Sequence, residues 1–129
     1  MSDEVISILL ETAKKLGIKV IETQLSDHSK SAVCGIYTRY EKQDLIFIEQ
    51  NDSLDEKMFT LAHELGHHIL HRHELNNRHF RSYYWSNNEY QLEKEIDADH
   101  FAWKLLSFIY QELRNNKKNH RGYFKIPTF

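Results

Sequence analysis

Apolar residues recur at helical spacing in three stretches of the chain and at strand spacing in three others. Ile6, Leu9, Leu10, Ala13 and Leu16 form one stripe, which predicts a helix from Asp3 to Leu16, capped by Ser2 or Asp3 and ended by Gly17. Ile18–Thr23, Val33–Arg39 and Leu45–Glu49 read as strands, the last two forming a hairpin through residues 40–44. A second helix is predicted from Leu54 to Arg72. Ser53 and Glu56 have capping-box spacing there, and Asp52, Asp55 and Glu56 place negative charge at the helix start. Met58, Leu61, Ala62, Leu65 and Ile69 supply its buried stripe. A third helix, from Glu89 to Arg114, carries Ala98, Ala102, Leu105, Leu106, Ile109 and Leu113 on one side. This order predicts a small α+β fold, with a three-stranded twisted sheet packed on the helices.

The other face of the second helix carries the chemistry. His63-Glu64-Leu65-Gly66-His67 is an H-E-x-x-H string. Residues four apart share a helix face, so His63 and His67 can offer two imidazoles to one metal ion. Glu64 stands beside them as candidate general base for a water activated by that ion. Imidazole and carboxylate donors with one open position make a hydrolytic zinc site, which points to one zinc ion per chain. With nine histidines in 129 residues, composition alone would give such a string in roughly one chain in twenty. The weight therefore rests on its setting. Gly66 weakens the helix but admits another segment close to its backbone.

The remaining histidines of this region fit less well as ligands. His73 lies six residues after His67, where metzincin peptidases place a third histidine. Those enzymes need a glycine three residues after the second histidine, and here that position is Leu70. Met1 and Met58, the only methionines, are not placed for a Met-turn. His71 shares the face of His67 but stands about 12 Å along a straight helix from His63, too far for one ion to hold both. His68, His71 and His73 are expected at the surface, behind the ligands or on the substrate side.

A third ligand is expected from the third helix. Glu95 and Asp99 fall on or at the edge of its apolar stripe, while Asp97 points away beside Lys104. Two carboxylates facing a core need compensation, because an unpaired buried charge is costly. Glu95 is read as the third zinc ligand and Asp99 as the acceptor for a ligand histidine's N–H. A salt-bridged pair at the helix edge is the alternative, and Asp97 is the weaker ligand candidate on direction.

Phe59-Thr60-Leu61-Ala62-His63-Glu64-Leu65-Gly66-His67 through His71 resembles the ImmA/IrrE metallo-endopeptidases, which are gluzincin-like zinc peptidases. So do Glu95-Ile96-Asp97-Ala98-Asp99-His100-Phe101-Ala102 with Leu105-Leu106, and Gly35-Ile36-Tyr37 with the strand before the second helix. The resemblance covers about residues 1–110. It implies a zincin-like fold with a Glu-x-x-x-Asp/Asn third-ligand helix, and a helix-turn-helix repressor of a phage, mobile element or stress regulon as substrate. Asp97 stands where the family often has Glu, and the proline that often follows the Leu-Leu pair is absent.

Composition narrows the class further. The chain is long enough for one domain with a modest core. It reads as a metallopeptidase unit over residues 1–114 and an exposed basic tail over residues 115–129. Arg114, Lys117, Lys118, Arg121 and Lys125 give residues 114–129 a charge of +5, leaving −7 on the rest of a chain whose net charge is −2. That balance predicts no direct nucleic-acid binding, although a basic tail can touch nucleic acid or an acidic partner. No apolar run approaches the ~20 residues that span a bilayer, and no basic start precedes an apolar stretch. A cytoplasmic location is expected. Cys34, the lone cysteine, reads as a buried strand thiol with no site built around it. Oligomeric state is not legible.

Glu64 would take the proton of the attacking water and pass it to the leaving amine. Leu45–Glu49 is a candidate edge strand for pairing with an extended substrate. His79, Tyr83, Tyr84 or His100 could stabilise the oxyanion, from the polar and aromatic connection of residues 74–88 or just beyond it. Two rival readings share these residues. One is a zinc-stabilised, non-proteolytic regulatory binding module, for which Glu64 would have no use. The other is a toxin-like accessory protein of a mobile element.

Overall fold

The computed structural model describes residues 2–25, 33–71, 79–82 and 89–118. In chain order these form α1 (Ser2–Lys15), β1 (Ile18–Thr23), β2 (Val33–Tyr40), β3 (Gln43–Glu49), α2 (Leu54–His71), β4 (His79–Ser82) and α3 (Glu89–Lys118). The architecture is α+β, with the three expected helices and the three expected strands in a mixed sheet. A fourth strand joins at one edge, giving the order β1-β3-β2-β4.

β2 and β3 form the predicted antiparallel hairpin, with Tyr40 opposite Gln43. Glu41 and Lys42 between them take φ of 48° and 68°, the left-handed pair that a two-residue turn needs to follow the strand twist. β1 pairs in parallel with β3, Val20 opposite Ile46. β3 is therefore enclosed on both sides. It cannot receive a substrate strand along an edge, which corrects the expectation for Leu45–Glu49. The outer strands are β1 and β4.

β4 corrects a second expectation, that residues 74–88 make only a connection. Four residues carry too little periodicity to announce a strand. β4 forms on the free edge of β2, with Gly35 opposite Arg81, Tyr37 opposite His79 and an irregularity between Val33 and Gly35. Tyr83, Tyr84, Trp85 and His73 lie outside the described residues. α3 runs to Lys118, past the expected end at Arg114; residues 119–129 of the expected tail lie outside the described residues.

The core is where the apolar stripes meet: Val5 and Leu9 of α1, Ile46 and Ile48 of β3, Leu61 and Leu65 of α2, Leu105 and Ile109 of α3. Two local devices aim α2. Ser53 Oγ accepts from the Glu56 N–H at 3.1 Å, capping the helix start. Buried Glu49 accepts from the Leu25 N–H at 2.8 Å and the Asn51 N–H at 2.9 Å. A carboxylate held by backbone donors is tolerated inside, and here it ties the end of β1 to the turn that launches α2. Among the described residues no helix is long and apolar enough to cross a membrane.

Candidate metal centre

α2 lies between the sheet and α3, so both its apolar and its polar faces are enclosed. His63, Glu64, His67 and His68 are each no more than 1% exposed. Gly66 is the close-approach point anticipated from sequence. A Cβ there would come within 3.1 Å of the Phe101 ring and 3.3 Å of the Ala98 backbone, so α3 is the segment it admits. That contact brings the carboxylates of α3 onto the histidine face of α2.

Three side chains converge. His63 Nε2 lies 2.8 Å from Glu95 Oε2, His67 Nε2 lies 3.1 Å from Glu95 Oε1, and the two Nε2 atoms are 3.1 Å apart. Donor atoms around a tetrahedral zinc with bonds near 2.0–2.1 Å sit about 3.3 Å from one another. This donor set, two imidazoles and a carboxylate carried on two helices, fits such an ion after opening by a few tenths of an ångström. Glu64 belongs to the same cluster, and its carboxylate has a ligand atom within 4.8 Å of those of His63 and His67.

Asp99 Oδ1 lies 2.7 Å from His63 Nδ1, the nitrogen turned away from Glu95. Burial alone would lower the His63 pKa. Hydrogen bonds to Asp99 and Glu95 and the charges of Glu64 and Glu95 overcome that and raise it to about 9. In the absence of an ion, the imidazolium is what balances these carboxylates.

Asp97 turns away from the cluster. Its side chain is 60% exposed and reaches His71 Nε2 at 3.7 Å. His71 is not at the surface. It is buried, with its Nδ1 3.1 Å from His67 Nδ1. His68 is not a surface or substrate-side group either. Its Nδ1 lies 2.9 Å from the Tyr37 hydroxyl and 3.5 Å from Asp44 Oδ2, fastening α2 to the sheet. Its place on the helix, between the polar face and the core stripe, was the available signal. His100 is exposed and lines a cavity of about 520 Å³ with Leu70, His71, Asp97 and Lys104. The side chain of His79 lies outside the described residues.

Further neighbours escaped the sequence. A Cβ on Gly35 of β2 would collide with Thr60 Cγ2 and lie 3.4 Å from Glu64 Oε1, so the sheet closes directly over the carboxylate. A glycine inside a strand pattern is the signal for such an approach. Cys34 is buried on its strand as expected, but Asp52 and Glu56 each have a donor atom within 4.8 Å of its thiol. On the other side, the Phe59 ring centroid is 6.4 Å from that of His63 and 5.2 Å from that of the exposed Trp103.

The family model for the IrrE N-terminal-like domain, peptidase family M78, matches residues 13–123. The match spans the sheet, α2 and α3, and so contains every residue of the cluster. No curated protein matches the chain significantly.

Proposed function

The chain belongs to the IrrE N-terminal-like (ImmA/IrrE) family of metallopeptidases, and from that membership we propose a zinc-dependent endopeptidase acting in the cytoplasm. Its proposed substrate is a helix-turn-helix transcriptional repressor of a phage, mobile element or stress regulon. One observation carries the reading: both Nε2 atoms and the Glu95 carboxylate converge beside a fully buried Glu64.

In this reading His63, His67 and Glu95 hold the zinc ion. When bound, zinc supplies Lewis acidity, polarising the scissile carbonyl and letting water attack near neutral pH. Both imidazoles must then present bare Nε2 atoms, so both rings carry their proton on Nδ1. Asp99 accepts that proton's hydrogen bond from His63 and fixes the ring's tautomer and orientation. Glu64 moves the proton that hydrolysis requires. Its carboxylate accepts it from the attacking water and returns it to the leaving amine. Gly35 and the Phe59–Trp103 pair flank the cluster and limit access of bulk water from those two sides.

Zinc content and repressor cleavage together test this. Purified wild type and Glu64→Gln should each retain about one zinc per chain, the count expected of a single three-ligand site. Only wild type should cleave a co-expressed helix-turn-helix repressor. Turnover by Glu64→Gln would remove the role of Glu64. Absence of zinc from wild type after reloading would remove the metal reading itself.

A further inference from the structure

We propose that His71 is a positioning residue for His67, fixing which of its ring nitrogens faces the cluster, with Asp97 standing behind His71 from α3. The inference rests on His67 being a zinc ligand and extends the site by a second orienting arm.

The two histidines of the cluster have the same requirement and meet it differently. His63 directs its Nδ1 to a carboxylate, Asp99 Oδ1 at 2.7 Å. His67 directs its Nδ1 to another imidazole, His71 Nδ1 at 3.1 Å, in a contact with both rings buried. A neutral imidazole has one donor and one acceptor nitrogen. If His67 is to offer Nε2 to an ion, its Nδ1–H must donate to His71 Nδ1, and His71 must carry its own proton on Nε2. That is the nitrogen 3.7 Å from Asp97 Oδ2, whose charge favours that tautomer. The contact between the two rings then joins a donor to an acceptor, and Asp97 acts on His71 through its charge. The i, i+4 spacing from His67 to His71 supplies the geometry from a single helix.

Too far along the helix from His63 to share an ion with it, His71 is left with this other task. Losing an orienting partner of this kind typically costs 10–100-fold in metal affinity. A purely structural His71, near the C-terminal end of α2, would affect stability and leave metal affinity alone.

Zinc affinity by chelator competition, measured on the full chain for wild type, His71→Leu and His71→Gln, tests the proposal. Long-range ¹H–¹⁵N spectra of the histidine rings in the zinc-loaded protein complete it. The expected result is about 10–100-fold weaker zinc binding in His71→Leu, with His71→Gln recovering most of it because its amide oxygen can still accept from Nδ1. Wild-type His71 should carry its proton on Nε2, leaving its Nδ1 to accept from His67. Equal affinities for wild type and His71→Leu, or no recovery in His71→Gln, would overturn it. If His71→Leu does not fold, the wild-type spectrum decides: a proton on His71 Nδ1, which could not then accept from His67, overturns the proposal. Wild type that binds no zinc would instead defeat the reading of His67 as a ligand, and this proposal with it.

Discussion

Asp99 grips His63 from α3, its Oδ1 2.7 Å from the ring Nδ1, while Glu95 one turn earlier on the same helix meets the ring's other nitrogen at 2.8 Å. One imidazole is thus held at both ends by one neighbouring helix. The two carboxylates divide the work, one facing the cluster and one behind it.

The division predicts unequal effects. Asp99→Ala should weaken zinc binding about 10–100-fold, and Asp99→Asn should do so less, since its amide oxygen still accepts from Nδ1. Competition with a chromophoric chelator measures both. Equal affinity across the three proteins would show that His63 needs no orienting partner.

Glu95→Ala should release zinc far more readily than Asp97→Ala. Glu95 lies within 2.8 Å of one cluster nitrogen and 3.1 Å of the other, whereas the Asp97 side chain is 60% exposed and directed to His71. Elemental analysis after identical dialysis gives the order. The reverse order would move the third-ligand role to Asp97.

The closeness of β2 to the buried acid predicts a coupled pair. Gly35→Ala forces its methyl into Thr60 Cγ2 and should destabilise by about 1–3 kcal/mol. Thr60→Ser removes that methyl while keeping the hydroxyl. The double variant should recover more than 1 kcal/mol over the additive expectation in a denaturation cycle, on the order seen for residues in contact. Additive costs would mean that β2 and α2 shift apart instead.

A pH dependence follows for the zinc-free protein. The His63 pKa is raised from 6.5 to about 9, so the folded state binds the proton more tightly than the unfolded chain. The stability this contributes is fully present below pH 6.5, declines as pH rises and is lost above about 9. Zinc must displace that proton, so its binding at pH 7 should release protons to buffer. Calorimetry in buffers of different ionisation enthalpy counts them, and no release would contradict a protonated His63.

Most of this architecture is legible because it is local. The stripes of α1, α2 and α3, the cap at Ser53 and the hairpin turn are each written within a few residues of where they act. So is each half of the cluster, because His63 and His67 are one turn apart and Glu95 and Asp99 are one turn apart. What escapes depends on neighbours distant in sequence. Enclosure of β3 comes from its parallel pairing with β1, β4 exists through the edge of β2, and burial of His68 follows from Tyr37 and Asp44. No periodicity within a single segment encodes those meetings.

The converging donors belong to two helices whose nearest cluster positions, His67 and Glu95, are separated by more than two dozen residues of chain. An ion seated among them is therefore also a staple, closing a loop much as a disulfide does but reversible on demand. Its grip adds to the folded state according to how far free ion exceeds the dissociation constant, about 4 kcal/mol at a thousandfold excess. For a chain with a modest core, an ion held there would tie the lifetime of each copy of the protein to the supply of metal.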